Sequence, residues 1–273
     1  MMKYLEGSPS IHLSEHIKTY WSLEFDQRGG NQAPQPIVPD GCIEIVFNLA
    51  DRFKRFHADG SVEVQPASLV AGQIQERIFI GPTGRVRLFG IRFKPAGAGA
   101  FFDFEMKEVT DRIEPLSTFW GTTAMELEER LWKAPSFDRQ VGVVESYLQG
   151  RLKRPSILGP AFHNCIEAIL VTSGTRKVGE ISRHFGMSER ELERKFNRLV
   201  GLSPKTFSRI VRFQAVLQSI SLSAPTNILD TTYHFGYYDQ SHLIKDFLRF
   251  SGMNPSDYFE RTAGITDLFI DAR

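Results

Sequence analysis

The chain has 273 residues, 41% hydrophobic and 24% charged, the composition of a soluble globular protein long enough for two domains. Its formal net charge is only +1, so any affinity for nucleic acid has to come from where the charges sit and not from their sum. No apolar run approaches the roughly 18 residues of a membrane span, and the opening "MMKYLEGSPSIHLSEHIKTYW" lacks the apolar core of a signal peptide.

The expectation is a cytoplasmic protein with no membrane partner. Cys42 and Cys165 lie in different halves with no C-x-x-C spacing. They read as small buried apolar residues rather than as a disulfide or a zinc site.

In chain order, residues 1 to about 120 read as strand-rich. "CIEIVFNL" (42–49) is a β-branched and aromatic run preceded by the turn signal "VPDG". "ERIFI" (76–80) and "VRLFGIRF" (86–93) follow, separated by the Gly/Pro turn "GPTGR". In the second run Val86, Leu88, Gly90 and Arg92 alternate with Arg87, Phe89, Ile91 and Phe93. "HLSEHIKTYWSLEF" fits a strand or a short helix. Regularly spaced strands of this kind predict a barrel or a sandwich.

From about residue 122 the period becomes helical. "TTAMELEERLWK" places Met125, Leu127, Leu131 and Trp132 near one side, with Thr122 or Thr123 as its cap. "APSFDRQVGVVESYLQGRL" repeats the pattern. "KRPSILGP" (153–160) is a Pro/Gly break, and beyond it the chain reads as helix after helix.

Among these later helices the same short design occurs twice. "FGMSERELERKF" begins at Phe185 and "FGYYDQSHLIKDF" at Phe235. The second copy carries one extra residue after Phe-Gly. From there the register is constant: Leu192 with Leu243, Phe196 with Phe247, Gly201 with Gly252, Pro204 with Pro255, Phe207 with Tyr258. Val178, Ile181 and Phe185 form one stripe of a short helix, Gly186 suits a helix stop, and Ser188 with Glu191 makes a capping box for the next helix. Helix, glycine turn, capped helix is the helix-turn-helix pattern. The second copy repeats it, with Asp239 as the cap.

The outward face of the first capped helix shows Arg190, Glu193, Arg194 and Asn197, and that of the second Gln240, Ser241, Ile244 and Lys245. Arg, Gln and Lys are side chains that reach base edges in the major groove. Between the copies, "SPKTFSRIVRFQAVLQSI" (203–220) predicts a long helix whose only charged residues are Lys205, Arg209 and Arg212. Those three are candidates for phosphate contact, equally well explained as elements of a plain connecting helix.

Residues from about 160 to 260 resemble the DNA-binding domain of the AraC/XylS family of bacterial transcription regulators. The residues that carry the likeness are "GEISRHFGMSERELERKFNRLVGLSPKTF" and "GYYDQSHLIKDFLRFSGMNPSDYF". The resemblance implies seven helices in two helix-turn-helix units joined by a long helix, with double-stranded promoter DNA as partner. It assigns base contact to Arg190, Glu193, Arg194, Gln240, Ser241 and Lys245. Phosphate contact is expected of Lys205, Arg209, Arg212 and His242. Glu193 departs from the pattern towards negative charge. It would accept from a cytosine amino group or repel phosphate. "VPDGCIEIVFNL" and "GIRFKPAGAGAFF" look like the β-rich N-terminal domain of one branch of that family, which either senses a small molecule or dimerises. Contact with RNA polymerase is implied in the same way.

The expected fold class is α+β: a β-rich, barrel-like N-terminal domain, then helices, then an all-α C-terminal domain with two helix-turn-helix units. The expected division is 1–121 for sensing or dimerisation, 122–158 as helical connector and 159–273 for DNA binding. Helices 122–133 and 136–152 have apolar stripes and would pair in a homodimer across a two-fold axis. A small-molecule pocket inside the barrel would be formed by Tyr20, Trp21, Glu44, Phe47 and Arg92, with Arg92 pairing a ligand carboxylate or else Glu44.

No catalytic, metal or cofactor constellation is legible. His12, His16 and His57 are scattered, no Gly-Lys-Ser/Thr follows the glycines, and Cys42 has no His partner by motif. A regulator without enzymatic activity is the expectation. The alternative is a regulator-like fusion whose N-terminal domain does chemistry.

Overall fold

A computed structural model describes residues 2–26, 33–152, 159–222 and 228–260. The described strands are β1 (Lys3–Gly7), β2 (Ile17–Phe25), β3 (Gln35–Ile37), β4 (Glu44–Asn48), β5 (Phe53–Phe56), β6 (Val62–Val64), β7 (Ser68–Ala71), β8 (Ile78–Pro82), β9 (Val86–Phe93) and β10 (Ile113–Pro115). They form two antiparallel sheets, in the orders β1-β2-β9-β4-β7-β10 and β3-β8-β5-β6. The "GPTGR" turn therefore carries the chain from one sheet to the other instead of closing a hairpin.

Alternation along the central strands decides what each face meets. Tyr20, Phe47, Phe89, Ile91 and Phe93 point one way and are fully buried. Against them lie α1 (Ser117–Trp120), α2 (Thr122–Lys133) and α3 (Phe137–Arg151), through Ala124, Leu127, Leu131, Val144 and Leu148. The opposite face carries Trp21, Leu23, Val86 and Leu88, which pack with Phe53 and Ile80 of the second sheet. Gly90 pairs with Trp21 across β9 and β2, and a Cβ there would stand 2.0 Å from the indole ring. The strand needs a glycine at that point because the tryptophan lies across it.

Two expectations are corrected here. Met125 and Trp132 are exposed, 57% and 61%, because the buried stripe of α2 runs through Ala124, Leu127 and Leu131, with its neighbours one residue off turned to solvent. The N-cap of α2 is Gly121 at φ +58°, not a threonine. The apolar stripes of α2 and α3, from which pairing between two copies was expected, cover the chain's own sheet. The break at 153–160 falls mostly outside the described residues, and α4 (Pro160–Val171) opens with Pro160 at its first turn.

The remaining helices are α5 (Val178–His184), α6 (Glu189–Leu199), α7 (Pro204–Leu222), α8 (Ile228–His234), α9 (Gln240–Phe250) and α10 (Pro255–Glu260). They share one core, with Phe207, Ile210, Phe213, Val216 and Leu217 of α7 at its centre. Val38 and Ala96 from the β-rich half belong to the same core. Hydrogen bonds join the halves: Gln214 Nε2 donates to the Pro39 carbonyl at 2.6 Å in the interior, and half-buried Thr110 Oγ1 to the Gly201 carbonyl at 2.6 Å. Among the described residues no helix is long and apolar enough to cross a membrane.

Candidate nucleic-acid interface

The two repeated segments fold alike down to the backbone. Gly186 and Gly236 stop α5 and α8 in the left-handed region, at φ +68° and +65°. The next residue closes the turn in both: Met187 N–H donates to the Ser182 carbonyl at 2.9 Å, and Tyr237 N–H to the Thr232 carbonyl at 3.0 Å. Ser188 then caps α6 by accepting from Glu191 N–H, and Asp239 caps α9 by accepting from His242 N–H. Leu192, Phe196, Leu243 and Phe247 are all fully buried. Both capped helices end at a second positive-φ glycine, Gly201 at +89° and Gly252 at +71°.

A Cβ at Gly186 would meet nothing within 4 Å, so backbone strain alone opposes a larger residue there. Gly186→Ala is expected to lower stability by about 1–2 kcal/mol, the cost of a left-handed alanine, as read from a urea melt. A loss below a few tenths of that would mean the turn relaxes.

Of the expected base contacts, Arg190, Glu193 and Arg194 are exposed on one side of α6. Asn197 Nδ2 donates to the Glu193 carbonyl at 3.0 Å and to its Oε1 at 3.3 Å, which holds the acidic side chain over its own helix. On α9, Ser241 and Lys245 are exposed and Gln240 is half-buried. Arg190, Glu193 and Arg194 lie opposite the core of α6; on α9 exposed Ser241 and Lys245 stand at the register of Arg190 and Arg194, and half-buried Ile244 at that of Glu193.

The expected phosphate contacts divide. Lys205 is exposed near the start of α7, and half-buried His242 packs edge-on to Tyr237 at 5.2 Å. Arg209 and Arg212 are occupied inside the fold. Arg209 Nε and Nη2 both donate to Asp246 Oδ1, at 3.1 and 2.5 Å. Arg212 Nη2 donates to the Gly174 carbonyl at 2.6 Å while its guanidinium covers the Tyr237 ring at 5.2 Å. Asp246 is fully buried. Burial and then the Asp246 charge push the Tyr237 hydroxyl's pKa well up. These residues brace α7 against α9 and its turn.

Asp246 was missed in the sequence, although the signal was there. It stands three residues after Leu243 and beside Phe247, on the apolar stripe, where a carboxylate needs a partner.

The five expected pocket residues are not brought together. Tyr20 and Phe47 face α2 and α3, whereas Trp21, Glu44 and Arg92 face the second sheet, because neighbouring strand residues point to opposite faces. Arg92 Nε donates to Glu44 Oε1 at 2.5 Å, and its Nη2 lies 3.3 Å from Asp40 Oδ2, at 3% exposure. Burial pushes the Glu44 carboxyl up, and Arg92 opposes this. The spaces beside this group measure about 80 and 100 Å3, well under the roughly 300 Å3 of a metabolite pocket. A larger cavity of about 450 Å3 lies between the halves, walled by Lys18, Lys94, His163, Phe207 and Val211.

Two capped helices, each set on a glycine turn after a shorter helix, make two helix-turn-helix units. Residues 181–261 match the helix-turn-helix domain family. Residues 5–115 match a domain of unknown function (DUF6597). Over 175 residues the chain is 30% identical to the regulatory protein HrpB of Ralstonia nicotianae, covering 63% of this chain and 34% of HrpB. The chain thus spans about a third of that relative's length. Among solved structures, ToxT of Vibrio cholerae aligns at 10% identity, over 97% of this chain and 99% of ToxT, with a TM-score of 0.47. A form of ToxT with bound unsaturated fatty acid aligns at 9% identity, 97% and 96% coverage, and a TM-score of 0.44.

Proposed function

We propose that the chain is a sequence-specific regulator of transcription in which α6 and α9 enter successive major-groove segments of one duplex, about 10 base pairs apart. The observation that carries this reading is the duplication itself. A positive-φ glycine turn recurs in both units, and after the one-residue insertion cap and buried core recur at one register. On this reading Arg190, Glu193 and Arg194 read one segment and Gln240, Ser241 and Lys245 the other, while Lys205 and His242 touch phosphate.

The division into residues 1–121, 122–158 and 159–273 belongs to the proposal: a front domain that receives a signal, a connector and a reader. Control by a small molecule attaches to the cavity between the halves rather than to the space between the sheets. Phe207 and Val211 of the connecting helix line that cavity together with Lys18 and Lys94 of the front half, so an occupant there would touch the helix that joins the two units.

Lys205→Ala tests the phosphate assignment. It is expected to weaken binding to all sequences alike and to reduce the slope of log K against log salt by about 1. Titrations on specific and random duplexes at several salt concentrations measure this. An unchanged slope would remove Lys205 from the interface.

A further inference from the structure

We propose that Tyr238 is an additional DNA contact, a neutral hydrogen-bond donor to a backbone phosphate at the edge of the second segment. The structure locates the one-residue insertion that distinguishes the two units. Met187 and Tyr237 close the two turns with the same backbone bond and are both buried, at 5% and 3% exposure. In the first unit the cap Ser188 follows at once. In the second, Tyr238 stands between Tyr237 and the cap Asp239.

The inserted side chain is 87% exposed, more than any other large apolar or aromatic side chain among the described residues. Aromatic side chains supply their stabilisation through burial, so Tyr238 adds little to this fold. What it has is position. It sits one residue before the N-cap of α9, the end that a reading helix presents to DNA. It also lies outside the helix, on the turn that leads into it. A phenol there has one O–H to donate, and tyrosine is among the side chains that donate to phosphate oxygens. The first unit has no counterpart, so the contact belongs to one end of the site only. The inference rests on the reading that α9 enters a groove.

The test compares the full chain with Tyr238→Phe, which removes only the hydroxyl. Ethylation interference on the bound duplex should show one phosphate beside the second segment that is needed by the wild type and not by Tyr238→Phe. The variant should bind about tenfold more weakly to every sequence. Its base preferences and salt slope should match the wild type, because a neutral donor displaces no counterion. A thermal melt should be unchanged. Wild-type affinity in Tyr238→Phe, or a change of base preference confined to one segment, would overturn the proposal while leaving the two-groove reading intact. A wild-type profile with no second segment would remove both.

Discussion

Asp246→Ala is expected to cost about 3–5 kcal/mol of stability, the penalty for breaking a buried ion pair by removing one partner. The carboxylate is fully buried on α9 and receives two hydrogen bonds from Arg209 of α7. Without it the guanidinium, 25% exposed, stays wedged 5.5 Å from the Phe250 ring with no counter-charge. Arg209→Ala should cost at least as much, since it strands the more deeply buried member. Chemical denaturation of both variants measures the loss. The salt dependence of DNA binding adds a second readout. If Arg209 acts as a brace, Arg209→Ala lowers stability and leaves the salt slope at the wild-type value. If it is a phosphate contact, the slope falls by about 1 and Asp246→Ala costs little.

Arg194→Ala is expected to cost about 1–3 kcal/mol of binding and to relax base preference in one segment only. Lys245→Ala should act on the other segment, and more weakly, because an ammonium is a point donor where a guanidinium is a fork. Both side chains are exposed, six residues after their respective caps. That common offset places them at equivalent points of two equivalent helices. Base-by-base binding profiles of the two variants decide the matter. Changes at the same base pairs in both, or at none, would contradict it.

The reading units were legible because their determinants are local. A glycine stop, a cap three residues before the N–H it accepts from and a stripe at helical spacing all lie within about a dozen residues, and β9 was legible to its ends for the same reason. What escaped was decided by partners far along the chain. Arg209 looked like an unopposed cation, since its counter-charge is 37 residues away on another helix. Tyr20 and Trp21 were grouped by composition, yet strand alternation sends them to opposite sides of the sheet. Trp132 was placed near Leu127 and Leu131 by helical period, and the buried stripe of α2 leaves it out. The inserted residue of the second turn could be counted in the sequence, but which residue it is became clear only from the turn hydrogen bonds of Met187 and Tyr237.

The most direct measurement is a hydroxyl-radical and methylation footprint of the full chain on its selected duplex. Two patches of major-groove protection on one face, separated by about 10 base pairs, with Arg194→Ala clearing one and Lys245→Ala the other, is the predicted result. A single protected patch that both substitutions weaken together would contradict the two-groove account.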